Sequence, residues 1–182
     1  MIKDVFDGYL RRFPEEKRAL KLLRKQIDEL QKLNGRKNFV GHITGSAIVL
    51  SPRLDKVLAI HHIKLKRWQQ PGGHWDEDET GPWLTAFREA QEETGVKIAK
   101  KVHLDAKNPH IPLDIDSHYI PAIPVNNEPS HHHHDFRHVF IAEGLELQAD
   151  KREVYGVEWL PFDDPRTAIF KCTMDKLRLL KL

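Results

Sequence analysis

Residues 81–95 leave room for one helix and little else. Gly81-Pro82 opens it, since proline suits a first helical turn, and Gly95 supplies the stop. At 100° per residue, Trp83, Phe87 and Ala90 share one face, while Glu89, Glu92 and Glu93 share an adjoining one. The apolar face needs a surface to bury against, and the flanking segments read as a sheet. Phe39 to Leu50 and Lys56 to Trp68 are predicted strands, the second with Val57-Leu58-Ala59-Ile60 as its buried run, and Ser51 to Asp55 is the turn between them. Further strands are expected at Val96 to Leu104, His118 to Val125, Phe136 to Ala142 and Val154 to Leu160. Asn126 to His134 reads as a polar loop, and a last helix runs from Arg166 to the C-terminus on Ile169, Met174, Leu177 and Leu180. Strands mixed with three helices predict a single α/β or α+β layered domain.

The third helix lies near the N-terminus. Leu20, Leu23, Ile27 and Leu30 recur at spacings of three and four between Pro14 and Leu33, and Asn34-Gly35 ends the run. Its apolar stripe either packs on its own domain, the reading favoured here, or serves a partner such as a second copy in a homodimer. A length of 182 residues suits one domain, and 40% apolar residues supply a core. A net charge of +2 gives no electrostatic argument for a nucleic-acid or membrane partner. Cys172 is the single cysteine, which excludes an intramolecular disulfide framework and cysteine-rich zinc sites, and suits a reducing compartment. No apolar run approaches the roughly 18 residues of a membrane span, and no signal peptide is read at Met1-Ile2-Lys3-Asp4, so the location expected is cytoplasmic.

The chemistry concentrates between Gly72 and Val96. Three carboxylates on one helical patch repel one another by roughly 0.2–0.5 kcal/mol per pair, so folding alone does not favour them. A divalent cation removes that repulsion, and Mg²⁺ takes hard oxygen ligands. Arg88 can hold a carboxylate by a bidentate contact, and Gly72-Gly73 lets the backbone approach a ligand, with the Gly72 carbonyl as a further hard donor.

Gly73, Glu79 and the run Arg88-Glu89-Ala90-Gln91-Glu92-Glu93-Thr94-Gly95-Val96 resemble the Nudix box. That signature reads Gly-x5-Glu-x7-Arg-Glu-U-x-Glu-Glu-x-Gly-U, with U a bulky aliphatic. Arg88, Glu89, Glu92, Glu93 and Gly95 stand in register. Eight residues rather than seven separate Glu79 from Arg88, so the family spacing counts back to Thr80 instead, and Ala90 is smaller than the usual aliphatic. The extra residue is expected around Gly81, where the loop enters the helix.

The resemblance implies a Nudix-like α/β/α sandwich with a mixed β-sheet, residues 36–182, carrying an added N-terminal helical extension, residues 1–35, packed on it. It also implies a hydrolase that uses Mg²⁺ or Mn²⁺ to cleave the pyrophosphate bond of a nucleoside diphosphate linked to another moiety, with sugar-nucleotides or ADP-ribose-like compounds preferred. Glu89, Glu92 and Glu93 become metal ligands with the Gly72 carbonyl, and Arg88 orients the carboxylates. The general base is Glu89, whose neighbours raise its pKa, or a loop residue outside the box, Glu128 or Asp135. Two readings compete: a Nudix-fold nucleotide-binding regulatory module without turnover, and an RNA-end decapping enzyme. The retained box glutamates disfavour the first, and the missing basic patch disfavours the second and nucleic acid in general.

The run His131-His132-His133-His134 is the chain's oddest feature. On an extended segment His131 and His133 point one way and His132 and His134 the other. With Asp135 and His138 they form either a transition-metal site, a contact to substrate phosphates, or a polar loop without a role. Substrate contact is assigned to His133, Asp135 and Arg137, although Arg137 also reads as an ordinary exposed strand arginine. His61, His62 and His74 are taken as structural histidines rather than ligands. Trp68 is assigned to the core, and Trp75 to the core or to stacking on a base.

Overall fold

A computed structural model describes residues 2–178 and Leu180. The chain begins with helix α1 (Ile2–Arg12), a 3₁₀ turn at Pro14–Lys17 and helix α2 (Lys21–Asp28). The strands are β1 (Gly41–Leu50), β2 (Lys56–His62), β3 (Arg67–Gln69) and β4 (Gly72–His74), then β5 (Ile98–Lys101), β6 (Asp114–Ile120), β7 (His131–Ala142) and β8 (Val154–Pro161). Helix α3 (Pro82–Thr94) lies between β4 and β5, and a 3₁₀ turn at Pro165–Phe170 leads into α4 (Lys171–Arg178).

All eight strands join one mixed sheet. β1 and β7 run parallel at its centre from Gly41↔His132 to Leu50↔Ile141, and the other pairings are antiparallel. β4 pairs with the first half of β1, β2 meets its end, and β6 and β5 share the far edge of β7. Every residue of β1 is buried, as expected for a strand covered on both faces.

Side-chain alternation sorts the core into layers. Ile43 and Phe136 pack under α1 and α2, while Ala47, Val49 and Phe140 pack under Ala86 and Ala90 of α3. The opposite face, through Ile48, Leu50 and Val139, packs on Phe170, Met174 and Leu177. The result is the expected α/β/α sandwich. Ala90 gains its meaning here: α3 approaches so closely that a Cβ on Gly45 would collide with the Pro82 carbonyl and Thr85, and a larger residue at 90 would push the helix off the sheet.

Five expectations change. The helix predicted from Pro14 to Leu33 is two pieces, because the proline starts a 3₁₀ turn and Leu20 interrupts the helical backbone. Leu20, Leu23 and Ile27 are buried as expected, but Leu30 takes a left-handed φ of 56°, ends the helix and is 88% exposed. Its stripe is spent on the chain's own sheet. Helix α1, absent from the sequence reading, contributes Val5, Phe6, Tyr9 and Leu10 at helical spacing to the same core. The strand expected at His118 to Val125 begins at Asp114 and stops before Pro121. The histidine run is strand rather than loop, paired with both β1 and β6. The last predicted helix is a 3₁₀ turn followed by α4, and its expected end at residues 179, 181 and 182 lies outside the described residues.

Candidate active site

The site is assembled where β4 runs under α3. Gly72 pairs with Ser46 and Gly73 with Gly45, so the glycine pair is a short edge strand. The Gly72 amide donates to Glu93 Oε2 at 3.0 Å. A Cβ on Gly73 would collide with the Glu89 carboxylate, which is why this position has no side chain.

Glu93 is 2% exposed, and Glu89 is partly buried beside it. Burial pushes the Glu93 carboxyl up to about 8 against the pull of the Gly72 amide, with Glu89, Glu153 and Glu92 adding repulsion. Burial also raises Glu89, opposed by Arg88. Glu153, in the turn before β8, brings a third carboxylate: ligand oxygens of Glu89, Glu93 and Glu153 lie within 4.8 Å of one another. Sequence reading missed Glu153, since it is 60 residues from Glu93, and the tertiary structure carries its turn to the helix through the β2–β8 pairing and the Gln148 and Asp150 amides, which donate to the Thr94 and Glu93 carbonyls. An acidic residue just ahead of a predicted strand was the only available signal.

Arg88 organises the rest. Its guanidinium donates to Glu79 at 2.9 Å, Glu89 at 2.8 Å, Glu92 at 3.0 Å and Asp76 at 3.2 Å. Burial works against its charge, and the carboxylates outweigh that, so its pKa moves up. Glu79 therefore reaches Arg88 despite the longer spacing. It also accepts from the Thr85 hydroxyl and the Asp76 amide, and the extra residue is absorbed in the loop before Pro82. Glu92 is the most exposed of the three helical glutamates and stands outside the 4.8 Å group.

The other expected site residues lie elsewhere. Asp135 is buried and accepts from Thr44, Ser46, Gln70 and Arg137. Arg137 is neither exposed nor free, because it bridges Asp135, Asp114 and Asp116 at 2.8–3.0 Å. His133 sits among His42, His74, His118 and His131, and Glu128 stands 3.6 Å from His131. Neither Glu128 nor Asp135 joins the box carboxylates. His138 faces the opposite side of β7, fully buried, and so does not join His131 and His133. His61 stacks on Trp68 at 5.2 Å, His62 accepts from the Lys64 amide, and Trp75 packs against the N-terminal core.

Comparison with known proteins bears on the family and the fold. Residues 42–179 match the family model described as the NUDIX domain. A curated relative from Lactococcus lactis subsp. cremoris, named a probable DHNTP pyrophosphohydrolase, is 30% identical over 133 residues, covering 73% of this chain and 74% of its own. Among solved structures, a NUDIX-family hydrolase from Clostridium perfringens superposes with a TM-score of 0.58 at 24% identity, over 77% of this chain and 98% of its own. An Ap4A hydrolase from C. elegans gives 0.52 at 15% identity, over 75% and 95% respectively. Both structures share the fold. No helix among the described residues is long and apolar enough to cross a membrane. The matched model over most of the chain and the named relative, on top of the box geometry, place the chain in the Nudix family, as an enzyme that hydrolyses phosphorus-containing anhydrides.

Proposed function

We propose that the chain is a Mg²⁺- or Mn²⁺-dependent pyrophosphohydrolase of a nucleoside diphosphate linked to another moiety, of the sugar-nucleotide or ADP-ribose kind. The observation that carries the metal is the convergence of Glu89, Glu93 and Glu153 within 4.8 Å, with Glu93 raised to about 8 by burial. The donor set is all carboxylate oxygen, the chemistry that Mg²⁺ and Mn²⁺ take. Glu89, Glu93 and Glu153 would hold the ion, and the Gly72 carbonyl is the further hard donor proposed for it. When bound, it supplies charge neutralisation and Lewis acidity to the diphosphate oxygens.

The chain's own residues do the rest. The Gly72 amide fixes one oxygen of Glu93, and Arg88 holds Glu79, Glu89 and Glu92 in a fixed fan. In hydrolysis, water forms a bond to phosphorus as the bridging P–O bond breaks, and the water's proton passes to a carboxylate. Glu89 takes that role, because burial raises its basicity while Arg88 keeps it aimed.

The DHNTP in the relative's name belongs in the substrate test, alongside nucleoside diphosphate sugars, ADP-ribose, dinucleotides and nucleoside triphosphates. Phosphate release would be read with a coupled phosphatase in Mg²⁺ or Mn²⁺. Turnover of a diphosphate-linked nucleoside above all others supports the proposal. Turnover confined to DHNTP or triphosphates would overturn the substrate class while leaving the hydrolase intact.

A further inference from the structure

On the sheet face turned away from α3, strands β1, β4, β6 and β7 gather a second cluster that the hydrolysis does not use. His42, His74, His118, His131 and His133 meet there, with ring centroids 4.7–5.8 Å apart. The β1–β7 register sets His42 against His133 and the β6–β7 register sets His118 against His133, while alternation brings His131 to the same face. We propose that His42, His131 and His133 form a nitrogen-donor site for Zn²⁺ or a similar late first-row divalent cation, separate from the carboxylate site.

Tautomers carry the argument. His42 Nδ1 lies 3.2 Å from the Asn38 carbonyl and His131 Nδ1 lies 2.8 Å from the Pro129 carbonyl. A carbonyl only accepts, so both Nδ1 atoms bear the proton and both Nε2 atoms present a lone pair. A ring N–H given to a backbone carbonyl is the support that metal-ligating histidines ordinarily have. His42 is 1% exposed, and its Nε2 has no hydrogen-bond partner among the described residues. A buried lone pair left so bears its full desolvation penalty unless something takes it up.

The spacing also fits. Ligand atoms of His42, His131 and His133 lie within 4.8 Å of one another, and the Nε2 atoms of His131 and His133 are 3.1 Å apart. Zinc–nitrogen bonds of about 2.0–2.1 Å place tetrahedral ligands roughly 3.3 Å apart, so the remaining closure is on the order of 1 Å. Glu128 stands 3.6 Å from His131 Nε2 at the edge of the site, outside the three-histidine group. Neutral imidazoles suit Zn²⁺ and bring no charge to a phosphate.

The test is calorimetric titration of the chelator-treated full chain with Zn²⁺ alone, in excess Mg²⁺, with Co²⁺ as a spectroscopic stand-in. One equivalent should bind, and Co²⁺ should show the intense visible band of tetrahedral nitrogen ligation. His42→Gln and His133→Gln should each weaken binding by at least about a hundredfold, a larger loss than an outer-sphere change gives. Glu93→Gln should leave it unchanged. Since His133 is only half-buried, its variant keeps the test usable if His42→Gln misfolds by circular dichroism. No bound equivalent, binding retained in a folded His133→Gln, or binding lost in Glu93→Gln would overturn the site.

Discussion

The two clusters on either side of β4 concentrate like groups for different reasons. On the α3 side, Glu89 and Glu93 are i and i+4 on one helix, so their proximity is local. On the other side, His42 and His131 are 89 residues apart, and only strand register brings them together. The glutamates are hydrogen-bonded to Arg88 and the Gly72 amide and present hard oxygen donors. The histidines are nitrogen donors, and in the structure His133 Nε2–H donates to the His131 Nε2 lone pair at 3.1 Å. A helix can gather charges because an arginine on the same face offsets them. A sheet gathers neutral rings, since its buried face tolerates no unpaired charge.

That contrast can be broken or sharpened by substitution. The largest effect is expected for Glu93→Gln, which should lower turnover by at least about a hundredfold. It should not lower the thermal midpoint, because the amide removes a carboxyl that burial already disfavours. A variant retaining wild-type kcat would remove Glu93 from the site. Gly73→Ala comes next. Its Cβ displaces the Glu89 carboxylate, so turnover should fall at least tenfold and stability by about 1–3 kcal/mol in denaturant titration. An alanine variant of full activity would show that the close approach of β4 to α3 is unimportant.

Glu153→Gln tests the residue that the fold alone adds to the carboxylates. It is exposed, and about a tenfold loss of turnover is expected, 1.4 kcal/mol in the barrier, with a higher Mg²⁺ requirement. Unchanged Mg²⁺ dependence would assign Glu153 to the surface.

His138 separates a buried histidine without a cluster from those within one. It is fully buried, neither ring nitrogen has a hydrogen-bond partner among the described residues, and burial lowers its pKa well below 6.5, with Lys101 and His110 acting in the same direction. Above pH 6.5 the ring is neutral in both folded and unfolded chains, so it adds no pH dependence. Below 6.5 the unfolded chain takes up a proton that the folded one refuses, and stability falls by up to about 1.4 kcal/mol per pH unit. His138→Leu should flatten that slope in urea titrations between pH 5 and 7. An unaltered slope would place the acid sensitivity elsewhere. The smallest effect is expected at His132, whose side chain faces away from the cluster toward Tyr119. His132→Gln should change Zn²⁺ affinity and stability by no more than about 0.5 kcal/mol. A larger change in affinity would contradict the alternation on which the nitrogen site rests.

The carboxylate site was legible for the same reason that it is local. Arg88, Glu89, Glu92 and Glu93 lie within six residues, and helical geometry converts spacing into a face without reference to the rest of the chain. The layered fold was legible too, because β-branched runs and one amphipathic helix admit few arrangements. The apolar spacing of helix α1 is present in the sequence but short, and α2 is shorter than its stripe, because a proline and a backbone turn at Leu30 interrupt what periodicity alone continues. Arg137 was read as free because its three carboxylate partners arrive from two strands.

By itself, then, the amino-acid sequence determined the helix with its acidic face, the glycine pair beneath it and the mixed α and β content, all consequences of interactions within a few turns of chain. Tertiary structure alone decided that Glu153 joins Glu89 and Glu93, that Asp135 and Arg137 neutralise each other inside the sheet, and that His42 meets alternate members of the histidine run. Those contacts depend on strand register across dozens of residues. Register is set by which faces of β1 and β7 bury together, and no local pattern encodes that pairing.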